Sequence, residues 1–206
     1  MRFLTAGAGA RSPLAAPLRE AGATLQTLDG WQVATHFGDP ALERRICGES
    51  VGWADVSHRR KHEIQGDPAH LEGARPERGL WFRLTPERAL LLDAMTPPEA
   101  TGVHAIDITI QLAALSLAGP LARDLLARFC ALDLRPETSP PGTLMPGSVA
   151  RTPGYVLCET RDRYLVLFGA AYGEYIWTVV SDAGAHLGGR PVGLDALRAG
   201  ELPVSA

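Results

Sequence analysis

The sequence is poor in everything that would tie a chain to a membrane, a disulfide framework or a polyanion. It has no run of about 18 apolar residues, so no membrane-spanning helix is expected. Cysteine occurs three times, as Cys47, Cys130 and Cys158. The number is odd, the spacing wide, and no C-x-x-C pair exists, which argues against a disulfide framework or a structural zinc site and for reduced, buried thiols. Charged residues make up 21% and the net charge is -3, so the chain as a whole is no polyanion binder, although a local basic patch is compatible with it. Gly7-Ala8-Gly9 opens no helix in a βαβ unit, which excludes a dinucleotide fingerprint. The start, Met1-Arg2-Phe3-Leu4, is too short an apolar stretch for a secretory signal and is broken by Arg11. A cytoplasmic protein is expected, with no membrane or nucleic-acid partner and no metal.

What is present is a core and many turns. The 206 residues are 46% hydrophobic, with 22 Gly and 16 Pro. Length favours one domain, read as 12–198, with a frayed N-terminus over 1–11 and a C-terminal tail over 199–206. Ser12-Pro13-Leu14 opens a short helix that Gly22 ends. Trp31 to Phe37 is a strand, Ala41 to Cys47 one or two helical turns, and Val51 to Ser57 a buried strand leading to a polar corner. Ile64 to Pro68 is a turn and 69–79 a loop. Leu80 to Leu84 and Ala89 to Leu92 form a hairpin. Ile106, Ile108, Ile110 and Leu112 alternate with polar residues, as in a half-buried strand. A strand over Ala113 to Ala118, a helix opened by Gly119-Pro120, a loop over 135–147 and a hairpin with Glu159 to Asp162 at its tip follow. The last long element is a helix from Ala170 to Ala183, with Gly184 as its C-cap. Strands and helices mix without βαβα alternation, which predicts an α+β domain with a mainly antiparallel sheet.

Three candidates for chemistry have bland readings beside them. His58-Arg59-Arg60-Lys61-His62 is the most basic run. Two histidines four apart share a helical face, but the cations between them repel a metal, so a solvated basic turn is the first reading and an anion-steering cluster the second. Asp55, two residues before Ser57, suits local backbone hydrogen bonding, with a functional role as the second reading. Trp31, Trp53, Trp81 and Trp177 are core or pocket walls by default.

A family resemblance rests on ordered segments. Gly52-Trp53-Ala54-Asp55-Val56-Ser57-His58 with Gly66-Asp67 is similar to an "F-D-x-S" strand followed by "G-x-D". Leu117-Ala118-Gly119-Pro120-Leu121-Ala122 resembles an "L-x-G-P-x-A" strand-to-helix step, and Arg151-Thr152 with Gly154-Tyr155 an "R-T-G-Y" strand. Tyr172 to Trp177 and Gly188 to Ala196 are similar to the helix and closing segment of the same family. The chain thus resembles, over 12–198, the folate-binding domain of the aminomethyltransferase (glycine cleavage T protein) and sarcosine oxidase gamma subunit family.

The resemblance implies ferredoxin-like α+β units around a pocket for tetrahydrofolate. It implies transfer of a one-carbon unit from a small N-methyl or aminomethyl amine, with a carboxylate orienting the pterin and handling protons. The family's Gly-Gly-Ile-x-Asp-Asp segment corresponds here to Arg75 to Phe82, which leaves Glu77 as the candidate catalytic acid. Asp55, Arg151, Tyr155 and Glu159 are the candidate folate contacts. The alternative implied by the same resemblance is a non-catalytic gamma-type subunit that caps a larger, flavin-containing partner.

Overall fold

The computed structural model describes residues 10–198, so residues 1–9 and the tail 199–206 lie outside the described residues. In chain order the elements begin with β1 (Ala10–Arg11), α1 (Ala15–Glu20), β2 (Thr24–Leu28), β3 (Trp31–His36), α2 (Pro40–Glu49) and β4 (Gly52–Asp55). Next come β5 (Lys61–Gly66), α3 (Pro68–Gly73), β6 (Leu80–Thr85), β7 (Arg88–Leu92) and β8 (Val103–Asp107). They end with β9 (Leu112–Ala118), α4 (Ala122–Ala127), β10 (Leu144–Val149), β11 (Thr152–Thr160), β12 (Arg163–Gly169), α5 (Gly173–Ala185), β13 (Arg190–Pro191) and α6 (Leu194–Arg198). The class is α+β with mostly antiparallel sheets, as the mixed order of elements predicts.

The contacts gather into two compact units, Ser57–Leu112 and the rest of the chain. The larger unit holds a six-stranded sheet, β10-β11-β12-β9-β4-β13, and a three-stranded sheet, β1-β3-β2. The β1–β3 and β4–β13 pairs are parallel, and β10–β11, β11–β12, β4–β9 and β2–β3 are antiparallel. One face of the large sheet carries Trp53, Leu115, Leu117, Val156, Val166 and Phe168, and Leu18, Leu125, Ile176 and Val180 pack on it in one core cluster. Each fully buried side chain of that size contributes about 1.5–3 kcal/mol. Gly184 lies inside α5 rather than capping it, because the helix runs against Trp53: a Cβ at Gly184 would fall 2.3 Å from the indole.

The smaller unit is a four-stranded antiparallel sheet, β6-β7-β5-β8, with α3 on one face. Its core is Ile64, Leu71, Ala89, Leu91 and Ala94, with Trp81 and Val103 at the margin.

Several local readings change, each for a tertiary reason. The alternating run from Ile106 to Leu112 is two strands and a turn: β8 stops at Asp107, whose Oδ1 accepts the Thr109 amide at 2.8 Å, and β9 starts at Leu112. The reading of 58–62 as a solvated basic turn is corrected. Lys61 is fully buried and His62 is 4% exposed, because β5 lies between β7 and β8. Thr24–Leu28, beyond the helix expected to end at Gly22, is β2, and Pro68–Gly73 and Leu144–Val149, read mainly as loop, are α3 and β10. Ala10 and Arg11 pair with Trp31 and Gln32 instead of fraying.

Candidate functional site

Four of the five sequence-derived site residues belong to the larger unit, and strand geometry decides which of them meet. Asp55 ends β4 and pairs with Leu115; it is 5% exposed. Side chains alternate along a strand, so Asp55 shares the face of Trp53 and Leu115. On β11 that same face holds Val156 and Cys158, members of the Trp53 core. Tyr155 therefore points to the opposite face, while Glu159 sits in the β-bulge between Cys158 and Thr160, where simple alternation stops. Three strand spacings also separate β4 from β11 in the sheet, about 14 Å at the usual spacing. Tyr155 and Glu159 are both half-buried. Arg151 is exposed in the β10–β11 turn. Glu77 belongs to the smaller unit, exposed in the loop before β6. Asp55 and Tyr155 thus face opposite ways and lie three strands apart, so they do not meet at one pterin.

The sequence reading passed over a cleft in the larger unit. α2, the Gly119-Pro120 step, the β11–β12 tip and α6 enclose about 620 Å³, lined by Arg44, Cys47, Asp162, Arg163 and Leu197 among others. Gly119-Pro120 was legible as a strand-to-helix step, and its role as a wall depends on the distant partners. Gly119 adopts φ 131, and a Cβ there would lie 2.3 Å from the Ser50 carbonyl. Arg163 reaches across to donate to the Leu197 carbonyl at 2.9 Å. Burial pushes the Cys47 thiol up to about 11, with Arg163 offsetting part of the effect. Cys47 is thus a neutral thiol near neutral pH and no nucleophile. Arg44 and Arg163 bring positive charge to the cleft wall and Asp162 a negative charge.

A second hollow, of about 670 Å³, opens in the smaller unit beside Glu63, Gln65, Asp67, Glu87, Arg88 and His104. Arg88 grips Glu63 with both nitrogens, Nε at 3.0 Å and Nη2 at 2.7 Å. That hydrogen bond, with burial opposing and Gln65 assisting, holds the Glu63 carboxyl below its ordinary range. A carboxylate so committed is a poor base. In the former "basic turn", Lys61 Nζ donates to the Ser57 and Arg59 carbonyls at 2.9 and 2.7 Å, and Arg59 pairs with Asp93 at 2.6 Å. The run is thus built into the unit. No group of three His, Cys, Asp or Glu side chains among the described residues is placed to hold a metal, and no described helix is long and apolar enough to cross a membrane.

No protein-family model matches the sequence, and no curated protein matches it either. Solved structures do. A chain of the heterotetrameric sarcosine oxidase from Corynebacterium sp. U-96, in complex with pyrrole 2-carboxylate, superposes with a TM-score of 0.63 at 18% identity, over 86% of this chain and 96% of that one. The glycine cleavage system aminomethyltransferase T from Bartonella henselae gives 0.62 at 16% identity, over 91% of this chain and 60% of that one. The fold is accordingly of the aminomethyltransferase type that the resemblance implied, and it is shared with both a transferase and a chain of a heterotetrameric oxidase.

Proposed function

We propose that this protein is a non-catalytic, gamma-type subunit of a multi-subunit sarcosine-type amine oxidase, built on the folate-binding scaffold of one-carbon metabolism. The observation that carries the reading is the opposed placement of Asp55 and Tyr155 on the two faces of one sheet, three strands apart. A carboxylate and the contacts that flank it must reach the same ligand, and Asp55 and Tyr155 do not face one site. The match over 96% of a heterotetramer's chain supports a subunit role. The expected partner is a larger chain carrying flavin, and the assembly would act on a small secondary amine. Native mass spectrometry of the protein purified from its own cell tests this. A stoichiometric complex with a larger flavin-containing chain is expected; a monomer that turns over an amine with tetrahydrofolate sinks it.

A second reading has one observation in its favour. Tyr155 and Glu159 lie on one strand, β11, and are both half-buried, so one extended ligand can reach both. On this reading the chain binds tetrahydrofolate and takes part in transfer of a one-carbon unit from an N-methyl or aminomethyl amine. Tyr155 and Glu159 would hold the pterin and Arg151 an anionic tail. Isothermal titration with tetrahydrofolate decides it: no heat of binding at high micromolar concentration removes this reading and leaves the first untouched.

A further inference from the structure

The β10–β11 hairpin turns on two residues with side chains in a conformation that normally calls for Asn-Gly. Ala150 has φ 45 and Arg151 has φ 64, between the paired residues Val149 and Thr152. Positive φ at both central positions is what a tight two-residue hairpin needs, and a Cβ at each makes it strained. Such strain persists only where the surroundings over-determine it. Here they do. The Ala150 amide donates to the Phe129 carbonyl at 2.7 Å. The Tyr175 hydroxyl donates to the Ala150 carbonyl at 3.1 Å. Thr152 Oγ1 donates to the Val149 carbonyl at 2.9 Å.

The pinned turn displays a cation next to Ala150, whose carbonyl holds the Tyr175 hydroxyl. Arg151 is exposed, and its guanidinium makes no hydrogen bond or ion pair among the described residues. Tyr172 and Tyr175 are 44% and 48% exposed, the exposed large apolar side chains of this unit among the described residues. They are three apart at the start of α5, on one helical face. Arg128, exposed at the end of α4, adjoins the Phe129 that anchors the turn. Glu174, between the tyrosines, is the one acid of the α5 first turn, so the local balance is positive. Tyrosine and arginine dominate the energetics of protein interfaces. A backbone already pinned loses little freedom on binding.

We propose that Arg151, Tyr172 and Tyr175 form a docking surface for a carboxylate-bearing segment of the larger partner subunit. Charge complementarity selects the occupant: the planar guanidinium takes a carboxylate bidentately, and the tyrosine rings cover the apolar side chains flanking it. This inference rests on the subunit reading above.

The test uses the intact complex and the larger chain purified from it. Arg151→Gly removes the cation and relaxes the turn, so the variant folds; Tyr172→Ala removes a ring that the turn does not use. Each is expected to weaken assembly with the purified larger chain at least tenfold, and Arg151→Gly to flatten the salt dependence of the dissociation constant. Hydrogen exchange of the complex is expected to protect residues 149–152 and 172–176. A complex that forms with unchanged affinity in both variants, or leaves these residues unprotected, overturns the docking surface and spares the subunit reading. Failure to find any larger partner overturns both.

Discussion

The Glu43 carboxylate ties together two segments 150 residues apart: Oε2 accepts the Gly193 amide at 2.8 Å, while Oε1 accepts the Phe37 amide at 2.6 Å. The side chain is 2% exposed. One buried acid thus satisfies two backbone donors and locks the start of α6 beside β3. Gly193 is needed for that approach, since a Cβ there would lie 2.0 Å from the Thr35 carbonyl.

Glu43→Gln is expected to destabilise the protein by about 2–4 kcal/mol, because one carboxylate acceptor becomes an amide donor facing an N–H. Denaturant unfolding monitored by tryptophan fluorescence measures it. A midpoint unchanged from the parent protein would show that the bond contributes nothing.

Two helical glycines are expected to respond in opposite directions. Gly48 in α2 has nothing within 4 Å of a Cβ, so Gly48→Ala should stabilise by about 0.5–1 kcal/mol. Gly184 in α5 meets the Trp53 ring at 2.3 Å, so Gly184→Ala should destabilise by roughly 1–3 kcal/mol through overpacking. Thermal unfolding of the pair is the check; shifts of the same sign contradict the account.

Cys47 should resist alkylation near neutral pH. Burial raises its thiol to about 11, so the reactive thiolate grows about tenfold per pH unit through the alkaline range. Iodoacetamide labelling with peptide mass mapping at a series of pH values reads this. Labelling near pH 7.5 as fast as that of a free cysteine peptide would refute it.

His62 predicts an acid-side loss of stability. It is buried at 4% exposure, and desolvation lowers its pKa below 6.5, with Asp107 opposing and Arg60 assisting. The folded form therefore disfavours the proton that the unfolded chain takes up. Its contribution is complete above pH 6.5 and declines as pH falls from 6.5 towards the lower folded value. In His62→Gln, unfolding midpoints between pH 7 and 5 should fall less steeply than in the parent protein. Identical slopes would remove His62 as the cause.

The sequence by itself determined the class and much of the local structure. Asp39-Pro40 caps α2 through the Asp39 side chain, and the strands around Thr85 to Arg88 and Glu159 to Asp162 form hairpins, because caps and turns depend on near neighbours. Asp55 and Tyr155 were also placed on strands correctly, whereas Glu159, expected at the hairpin tip, lies within β11. What only the tertiary structure decided is where periodicity stops and which face a side chain takes. Alternation from Ile106 to Leu112 continues straight through the turn at which the chain passes from one compact unit to the other. A period of two carries no mark of that passage. Lys61 reads as solvated by charge alone, yet it is buried, because β5 is flanked on both edges and two nearby carbonyls receive its ammonium. Whether Asp55 meets Tyr155 was settled in the same way. Strand order and register, fixed by contacts far apart in sequence, put them three strands apart on opposite faces of one sheet.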